Sequence, residues 1–243
     1  MAEEEKIRAH AKQALQVLTD KTKKWKDRIK EFLWEVFIIL VAVNITLWFH
    51  NWNEKKHEKR DMALYLNAIK LELEENITTI DRSIEYLLPN VEYEKYLQNH
   101  DKKSLNEDTL AYYAVSCCYN LKKFTFKTNA FEMYKSSGVM RLIDDKELSL
   151  SIWEVYSSIV SLNESLKWHF DTKWRYMEKD FVFAESGMLD ISKLTNKAPM
   201  YSFYNSGFSS SMLKDSEETL KETKEAVSKL EKYPYLYSVK NIY

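Results

Sequence analysis

The residues with the clearest chemical potential are two histidines and a glutamate beyond an apolar stretch. His50, Glu54 and His57 are four and three residues apart, so a helix would place them on one face. Glu54-x-x-His57 has the spacing of a di-iron ligand pair, but a di-iron bundle needs a second such pair and two further glutamates. The other three histidines have no glutamate three residues earlier. The sequence therefore predicts a solvated helix face and no metal, with a zinc site as the alternative.

Two adjacent cysteines are the only thiols in the chain, Cys117 and Cys118. Neighbouring cysteines rarely form a disulfide with relaxed geometry, and no further cysteine stands at a metal-ligand spacing. Small apolar side chains buried on a helix are therefore predicted. A reactive thiol that pairs with a distant histidine is the alternative.

Two polar residues interrupt an otherwise apolar run. Glu35 is an ionisable residue near its start, where a carboxylate can reach water or lipid headgroups, so an interfacial role is predicted rather than a proton site. Asn44 lies deeper and could form a hydrogen bond to another helix in lipid. Nine residues separate them, which places them on opposite faces of a helix. Contacts at both would therefore require neighbours on two sides, and this favours an oligomer or a partner.

Composition excludes several classes of protein. The chain has 243 residues, only three glycines and three prolines, and a net charge of −1. Widely separated glycines cannot build a phosphate-binding loop or a dinucleotide fingerprint. So few turn-forming residues argue against β sandwiches and barrels, and the balanced charge argues against nucleic acid as a partner. An all-α protein is predicted.

The apolar run predicts a membrane-spanning helix. Phe32 to Phe49 is long enough to cross most of a bilayer core, and it is bracketed by Trp34, Trp48 and Trp52 at the levels where headgroups would lie. No small-residue cleavage site follows, so a retained anchor over residues 32–52 is expected, after a basic tail over 1–31 and before a helical extramembrane domain over 53–243. Six basic residues between positions 21 and 30 outnumber the four between 55 and 60. This bias favours a cytoplasmic N-terminus.

Two blocks carry a resemblance to a known family. The first runs from Trp34-Glu35-Val36 to Asn51-Trp52-Asn53-Glu54, and the second from Ala130-Phe131-Glu132 through Lys135-Ser136-Ser137-Gly138 to Tyr156. They resemble bacterial single-pass membrane proteins of unknown function, in which a Gly-Glu-Ile-type apolar helix ends in Asn-Trp-Asn-Glu; here Trp34 replaces the glycine. The resemblance implies a bacterial inner-membrane protein with a helical, periplasmic C-terminal domain. It implies no reaction.

A long apolar stripe follows the predicted span and contains no glycine or proline before Pro89, where the helix is expected to end. Its spacing of three and four residues is helical and close to a heptad repeat. Packing inside a bundle and pairing with a second copy are both consistent with this spacing. The predicted self-association surface is formed by five residues: Ile69, Leu73, Ile77, Ile80 and Ile84.

Further helices are predicted from caps and periodicity. A Ser104/Glu107 capping box would open a helix through Cys118, residues 125–135 would form another, and Asp144 would cap a long helix through Met177 with Phe170 and Trp174 on its apolar face. Residues 192–211 read as a loop whose aromatic residues suit partner recognition, and the last helix is expected to begin at Asp215.

Three functions are consistent with these patterns. The preferred hypothesis is a membrane-anchored interaction or scaffold module that associates with itself or with a membrane protein and needs no cofactor. A pore-like assembly of several anchors around Asn44 and Thr46 is the first alternative. An enzyme or metalloprotein built on Glu54/His57 or on Cys117/Cys118 is the second.

Overall fold

The computed structural model describes residues 25–101, 103–180 and 200–233, together with positions 8, 9 and 12. Over these residues the protein is helical and has no strand, which confirms the all-α prediction. The helices are α1 Trp25–Asn99, α2 Glu107–Tyr113, α3 Asn129–Ser137, α4 Lys146–Asp180, α5 Tyr201–Tyr204 and α6 Phe208–Lys232. A π-helical turn, Ala114–Cys118, follows α2, and a 3-10 turn, Val139–Leu142, follows α3.

The chain divides into two compact units, Met1–Lys59 and Arg60–Tyr243. In the first unit, α1 carries the predicted apolar run, whose most apolar 18 residues have a mean hydropathy of 2.1 and are 0% buried. This helix is long and apolar enough to cross a membrane. Trp34, Trp48 and Trp52 all point into the surroundings, with more than half of each side chain exposed.

Helix α1 does not end at Pro89, contrary to the prediction from the sequence; it continues to Asn99 with the proline inside it. An internal proline costs a helix about 3 kcal/mol because it removes one backbone hydrogen bond and crowds the preceding turn. Buried residues flank it on both sides, Leu87 before and Leu97 after. The side chain of Asn90 also donates a hydrogen bond to the Tyr86 carbonyl, 2.6 Å away. Tertiary packing around the proline therefore offsets its local cost.

The second unit is a bundle whose long helices bury residues at alternating steps of three and four. On α1 these positions run without interruption from Met62 to Leu97. Several of these buried positions carry polar residues, so the apolar stripe alone does not mark the buried face. Ile77 and Ile84, which belong to the stripe, lie beside the buried face and are only partly buried. The eleven positions of this alternating series are Met62, Leu66, Ile69, Leu73, Asn76, Ile80, Ser83, Leu87, Asn90, Glu94 and Leu97. This is the heptad spacing of coiled-coil packing.

Contacts between the long helices give their directions. Tyr156 of α4 bonds to Glu72 of α1, and Lys173 further along α4 bonds to Asn90 further along α1, so these two helices are parallel. Helix α6 is antiparallel to both, because its first turn meets Glu94 and the residue after its end, Tyr233, meets Met62. A parallel pair requires a long crossover connection, which the segment containing α2 and α3 supplies.

The predicted self-association surface is used inside the chain. Ile69, Leu73 and Ile80 have no exposed surface, and all five residues of the stripe pack in the core shared with α4 and α6. A second copy could reach them only if the bundle opened. The intramolecular alternative is therefore the one found for Ile69, Leu73, Ile77, Ile80 and Ile84, and their part in self-association stays a prediction.

Two carboxylates on α1 determine where other helices begin. Glu72 accepts hydrogen bonds from the backbone N–H groups of Ala130 and Phe131, at 2.8 and 3.3 Å, in the first turn of α3. Glu94 accepts from the N–H groups of Ser209 and Ser210, at 2.9 and 3.3 Å, in the first turn of α6. Both satisfy donors that a helix leaves unpaired at its N-terminus, and both place negative charge at the positive end of the helix dipole.

These remote caps correct the predicted helix starts. Helix α3 begins at Asn129 rather than near Thr125, and α6 begins at Phe208 rather than Asp215. Local caps are also shifted: Asn106 rather than Ser104 caps α2, and Asp145 rather than Asp144 accepts the Leu148 N–H of α4. The second of these shifts is a single residue.

The predicted aromatic loop is largely part of the core. Residues 192–199 lie outside the described residues, but Phe203 and Tyr204 lie in α5 and are 7% and 0% exposed. They pack with Tyr93 and Leu97 of α1 in a second hydrophobic cluster. Exposed recognition by these two rings is therefore excluded. The segment closes one end of the bundle instead.

Candidate functional site

The candidate metal ligands of the alternative hypothesis lie on the surface of the first unit. His50, Glu54 and His57 are all exposed on α1. No group of three histidine, cysteine, aspartate or glutamate side chains converges within the described part of the chain. These three residues therefore have no surrounding ligands that would complete a di-iron or zinc site.

The polar residues of the apolar run bond first to their own helix. The Asn44 side-chain amide donates to the Leu40 carbonyl at 2.7 Å, and the Thr46 hydroxyl donates to the Ala42 carbonyl at 3.0 Å. The Thr46 hydroxyl therefore donates its only proton within the helix, whereas the Asn44 side chain keeps a second N–H and a carbonyl oxygen. Asn44 thus retains hydrogen-bonding capacity on an exposed face of the helix. Glu35, also on this helix, is half-exposed near its start.

The strongest concentration of buried polar chemistry surrounds Lys173, a residue that the sequence analysis did not single out. Its side chain is 0% exposed. The ammonium donates to the Tyr86 hydroxyl at 2.9 Å, to Asn90 Oδ1 at 2.8 Å and to the Cys117 carbonyl at 2.6 Å. Tyr204 donates a further hydrogen bond to the same Asn90 oxygen at 3.0 Å. We call Lys173, Tyr86, Asn90, Cys117, Cys118 and Tyr204 the lysine cluster.

Four elements position this cluster. Tyr86 and Asn90 are one turn apart on α1, and Asn90 occupies one of the buried heptad positions. Lys173 occupies the corresponding register on α4, where the buried series 159, 162, 166 continues to 169 and 173. The cysteines come from the π-helical turn, and Tyr204 comes from α5. The cluster therefore exists only when the bundle is assembled.

Lys173 is a buried cation surrounded by neutral acceptors. Burial lowers its pKa to about 8, although negative charge on the neighbouring Cys117 and Cys118 sulfurs acts in the opposite direction. No hydrogen bond joins its ammonium to a carboxylate among the described residues. The tyrosine rings help to accommodate the charge, because the ammonium lies 4.9 Å from the Tyr86 ring centroid.

His169 lies one turn before Lys173 on α4 and is 1% exposed. Burial, together with the charge of Lys173, lowers its pKa to about 3, so its ring is neutral at physiological pH. Its Nε2 atom has no hydrogen-bond partner among the described residues. The ring packs between Tyr86, Phe203 and Phe208. It therefore acts as part of the aromatic core.

The two cysteines are buried, as predicted, at 0% and 5% exposure. Their Sγ atoms are 3.9 Å apart, and both are free thiols. Burial raises the pKa of the Cys117 thiol, but hydrogen bonding from Cys118 and the charge of Lys173 outweigh it and leave that pKa below its ordinary value. Hydrogen bonding to Cys117 and burial raise the pKa of Cys118. A first proton is therefore lost more easily from the pair than a second.

The buried face of α4 shows how the sequence analysis missed this site. The apolar pattern was continued through Phe170 and Trp174, yet Trp174 is 47% exposed. The alternating steps of three and four after Leu162 and Leu166 lead to His169 and Lys173 instead. The spacing of the buried residues could have identified His169 and Lys173 as buried, but both side chains are polar and so do not belong to an apolar pattern.

The lysine cluster is sealed from solvent, since none of its six residues is more than 7% exposed. An external substrate could not reach it without local opening, so the arrangement favours a structural role over turnover. Comparison with protein-family models, with curated proteins and with solved structures finds no match to this chain. The family resemblance of the two sequence blocks therefore stays a prediction.

Proposed function

We propose that this protein is a single-pass membrane-anchored scaffold, in which α1 crosses a bacterial inner membrane and holds the helical bundle in the periplasm. The observation that carries the proposal is the contrast between the two parts of α1. No residue of its most apolar 18-residue window is buried, whereas the stripe beyond it packs in the core of the bundle. An apolar helix of this length without protein cover is suited to a lipid environment.

The basic residues on either side of the span support the orientation. Lys26 and Lys30, which lie before the span, are exposed, as are Lys55 and Lys56 after it. The excess of basic residues on the N-terminal side favours a cytoplasmic N-terminus. Labelling of an added cysteine at each end by a membrane-impermeant thiol reagent in intact spheroplasts tests this topology, and protection of the C-terminal label would contradict it.

Association between copies is the second part of the proposal, and we assign it to Asn44 rather than to the apolar stripe. The Asn44 amide group keeps one N–H and its carbonyl oxygen after bonding to Leu40, and two copies facing each other can exchange these groups. In lipid such a bond between helices contributes about 0.6–2 kcal/mol. No other part of the protein needs to open for this contact to form.

The experiment is energy transfer between differently labelled full-length copies in lipid vesicles, measured over a range of protein-to-lipid ratios. Asn44→Leu is expected to weaken association by about 3- to 30-fold. Thr46→Val is the matched control, because it also removes a polar group from the span but one whose only proton is already donated to Ala42. Transfer that is unchanged in Asn44→Leu, or absent from the wild-type protein at every ratio, would contradict the assignment.

A further inference from the structure

The face of α1 that contains Asn44 carries a heptad pattern within the apolar run. Three leucines follow one another there at intervals of seven residues, and Asn44 comes four residues after the second of them. Intervals of four and three residues alternate along this face, which is the spacing that two helices need for left-handed packing against each other. We call its six residues the heptad face: Leu33, Phe37, Leu40, Asn44, Leu47 and Asn51.

The heptad face is available to a second helix. All six residues are exposed, and the four apolar side chains are each more than half exposed. From Leu33 to Asn51 the face extends over about 27 Å of helix. The hydrocarbon core of a bilayer is about 30 Å thick, so a helix packed along this face would contact α1 through most of the membrane.

A second copy of this chain is the occupant that matches the polar group of the heptad face. After donating to the Leu40 carbonyl at 2.7 Å, the Asn44 amide keeps one N–H and its carbonyl oxygen. Lipid tails offer neither a donor nor an acceptor, so lipid alone would leave both groups unpaired. Two copies with the same topology have Asn44 at the same depth, and each amide can then donate to the other.

The pattern also determines the number of strands and their register. The leucines occupy the d positions of the heptad and Asn44 an a position, which is typical of two parallel strands whose register the asparagine fixes. A shift by one heptad would place Asn44 opposite Asn51 of the second copy, but it would displace one span by about 10.5 Å across the bilayer. From the three leucines and Asn44 we propose that two parallel copies pack in register through the heptad face. This inference rests on the proposed function, because it requires a span in lipid and association through Asn44.

The first test is oxidative cross-linking of single cysteine variants of the full-length protein in lipid vesicles, with a lipid-soluble catalyst of disulfide formation. Leu40→Cys and Leu47→Cys should each give cross-linked dimers, because d residues of two parallel strands lie close enough for a disulfide. Ile39→Cys and Thr46→Cys are the matched controls, since each precedes a leucine by one residue and is turned about 100° away from it. Both should stay at the background level, which the unsubstituted chain sets because its two cysteines are buried in the bundle.

The second test is energy transfer between labelled copies in the same vesicles. In a dimer the transfer efficiency rises linearly with the fraction of acceptor-labelled copies, whereas larger assemblies give a curve. Leu40→Ala should weaken association about 3- to 10-fold, because it removes side-chain contacts between the strands. Ile39→Ala should leave association unchanged.

The outcomes separate this inference from the proposed function. Transfer that Asn44→Leu weakens, combined with no cross-link at positions 40 and 47 or with a curved dependence on acceptor fraction, would overturn the heptad packing and leave association through Asn44 in place. Absence of transfer from the wild-type protein at every protein-to-lipid ratio would overturn both. Cross-links at positions 40 and 47 but not at 39 and 46, with a linear dependence, would support the two-stranded packing.

Discussion

The carboxylate of Glu72 is expected to be one of the strongest single contributors to the stability of the bundle. It is 7% exposed and accepts three hydrogen bonds, from the Ala130 and Phe131 N–H groups and from the Tyr156 hydroxyl at 2.6 Å. A bond to a charged group contributes about 1.5–3 kcal/mol, and each buried donor left without an acceptor costs about 1–3 kcal/mol. Allowing for partial relaxation, Glu72→Ala should lower the free energy of unfolding by about 3–4 kcal/mol.

Glu75→Ala is the matched control, because Glu75 lies on the same helix but is exposed in a surface ion pair with Lys127. Exposed pairs of this kind contribute about 0–1 kcal/mol. Tyr156→Phe completes a double-mutant cycle, since it removes the hydroxyl and keeps the ring stacked on Phe131 at 4.2 Å. The coupling energy between Glu72 and Tyr156 should be about 1–2 kcal/mol.

The assay is equilibrium unfolding of the full-length protein in detergent with urea, followed by tryptophan fluorescence. Trp153 reports directly on this region, because its ring packs on Phe131 with centroids 5.1 Å apart. The reasoning would be refuted if Glu72→Ala destabilised the protein no more than Glu75→Ala, or if the Glu72 and Tyr156 effects were simply additive.

Two further predictions use the same unfolding measurement. Ile80→Ala, at a fully buried core position, should cost about 2–5 kcal/mol, whereas Leu71→Ala, at a position 53% exposed, should cost less than about 0.5 kcal/mol; equal costs would contradict the assigned buried face. The pKa of Lys173 is lowered from 10.5 to about 8 in the folded protein, so the folded state binds this proton less tightly than the unfolded state does. The free energy of unfolding should therefore rise by about 3 kcal/mol as the pH increases from the folded to the unfolded pKa of this lysine. Lys173→Met should lack this rise, and a pH profile parallel to that of the wild type would contradict the proposed origin of the shift.

Much of the architecture follows from local patterns. The scarcity of glycine and proline predicted an all-α fold, and the periodicity from Leu148 to Leu166 predicted the helix that was found. Gly138 ends α3 in the left-handed conformation with φ of 70°, as its position after two serines indicated. The apolar run from Phe32 to Phe49 forms a helix that could span a membrane. Each of these features depends on residues close together in the chain.

The errors of the sequence analysis share a different cause. Pro89 continues a helix, and Asp215 lies inside one, because contacts with remote segments outweigh the local signals. The buried face of α1 was misjudged where it carries Asn76, Asn90 and Glu94, since an apolar pattern cannot reveal polar residues whose partners are more than fifty residues away. Only the folded bundle supplies those partners.

The sequence by itself determined the secondary structure class and the long apolar helix, because these properties depend on composition and on side-chain intervals within a single helix. The tertiary structure alone decided that the stripe packs inside the chain and that carboxylates of α1 cap α3 and α6. It also decided that Lys173, Asn90 and the two cysteines meet in one buried cluster. Buried polar groups need partners at specific distances, and residues far apart in sequence reach those distances only after the helices have assembled.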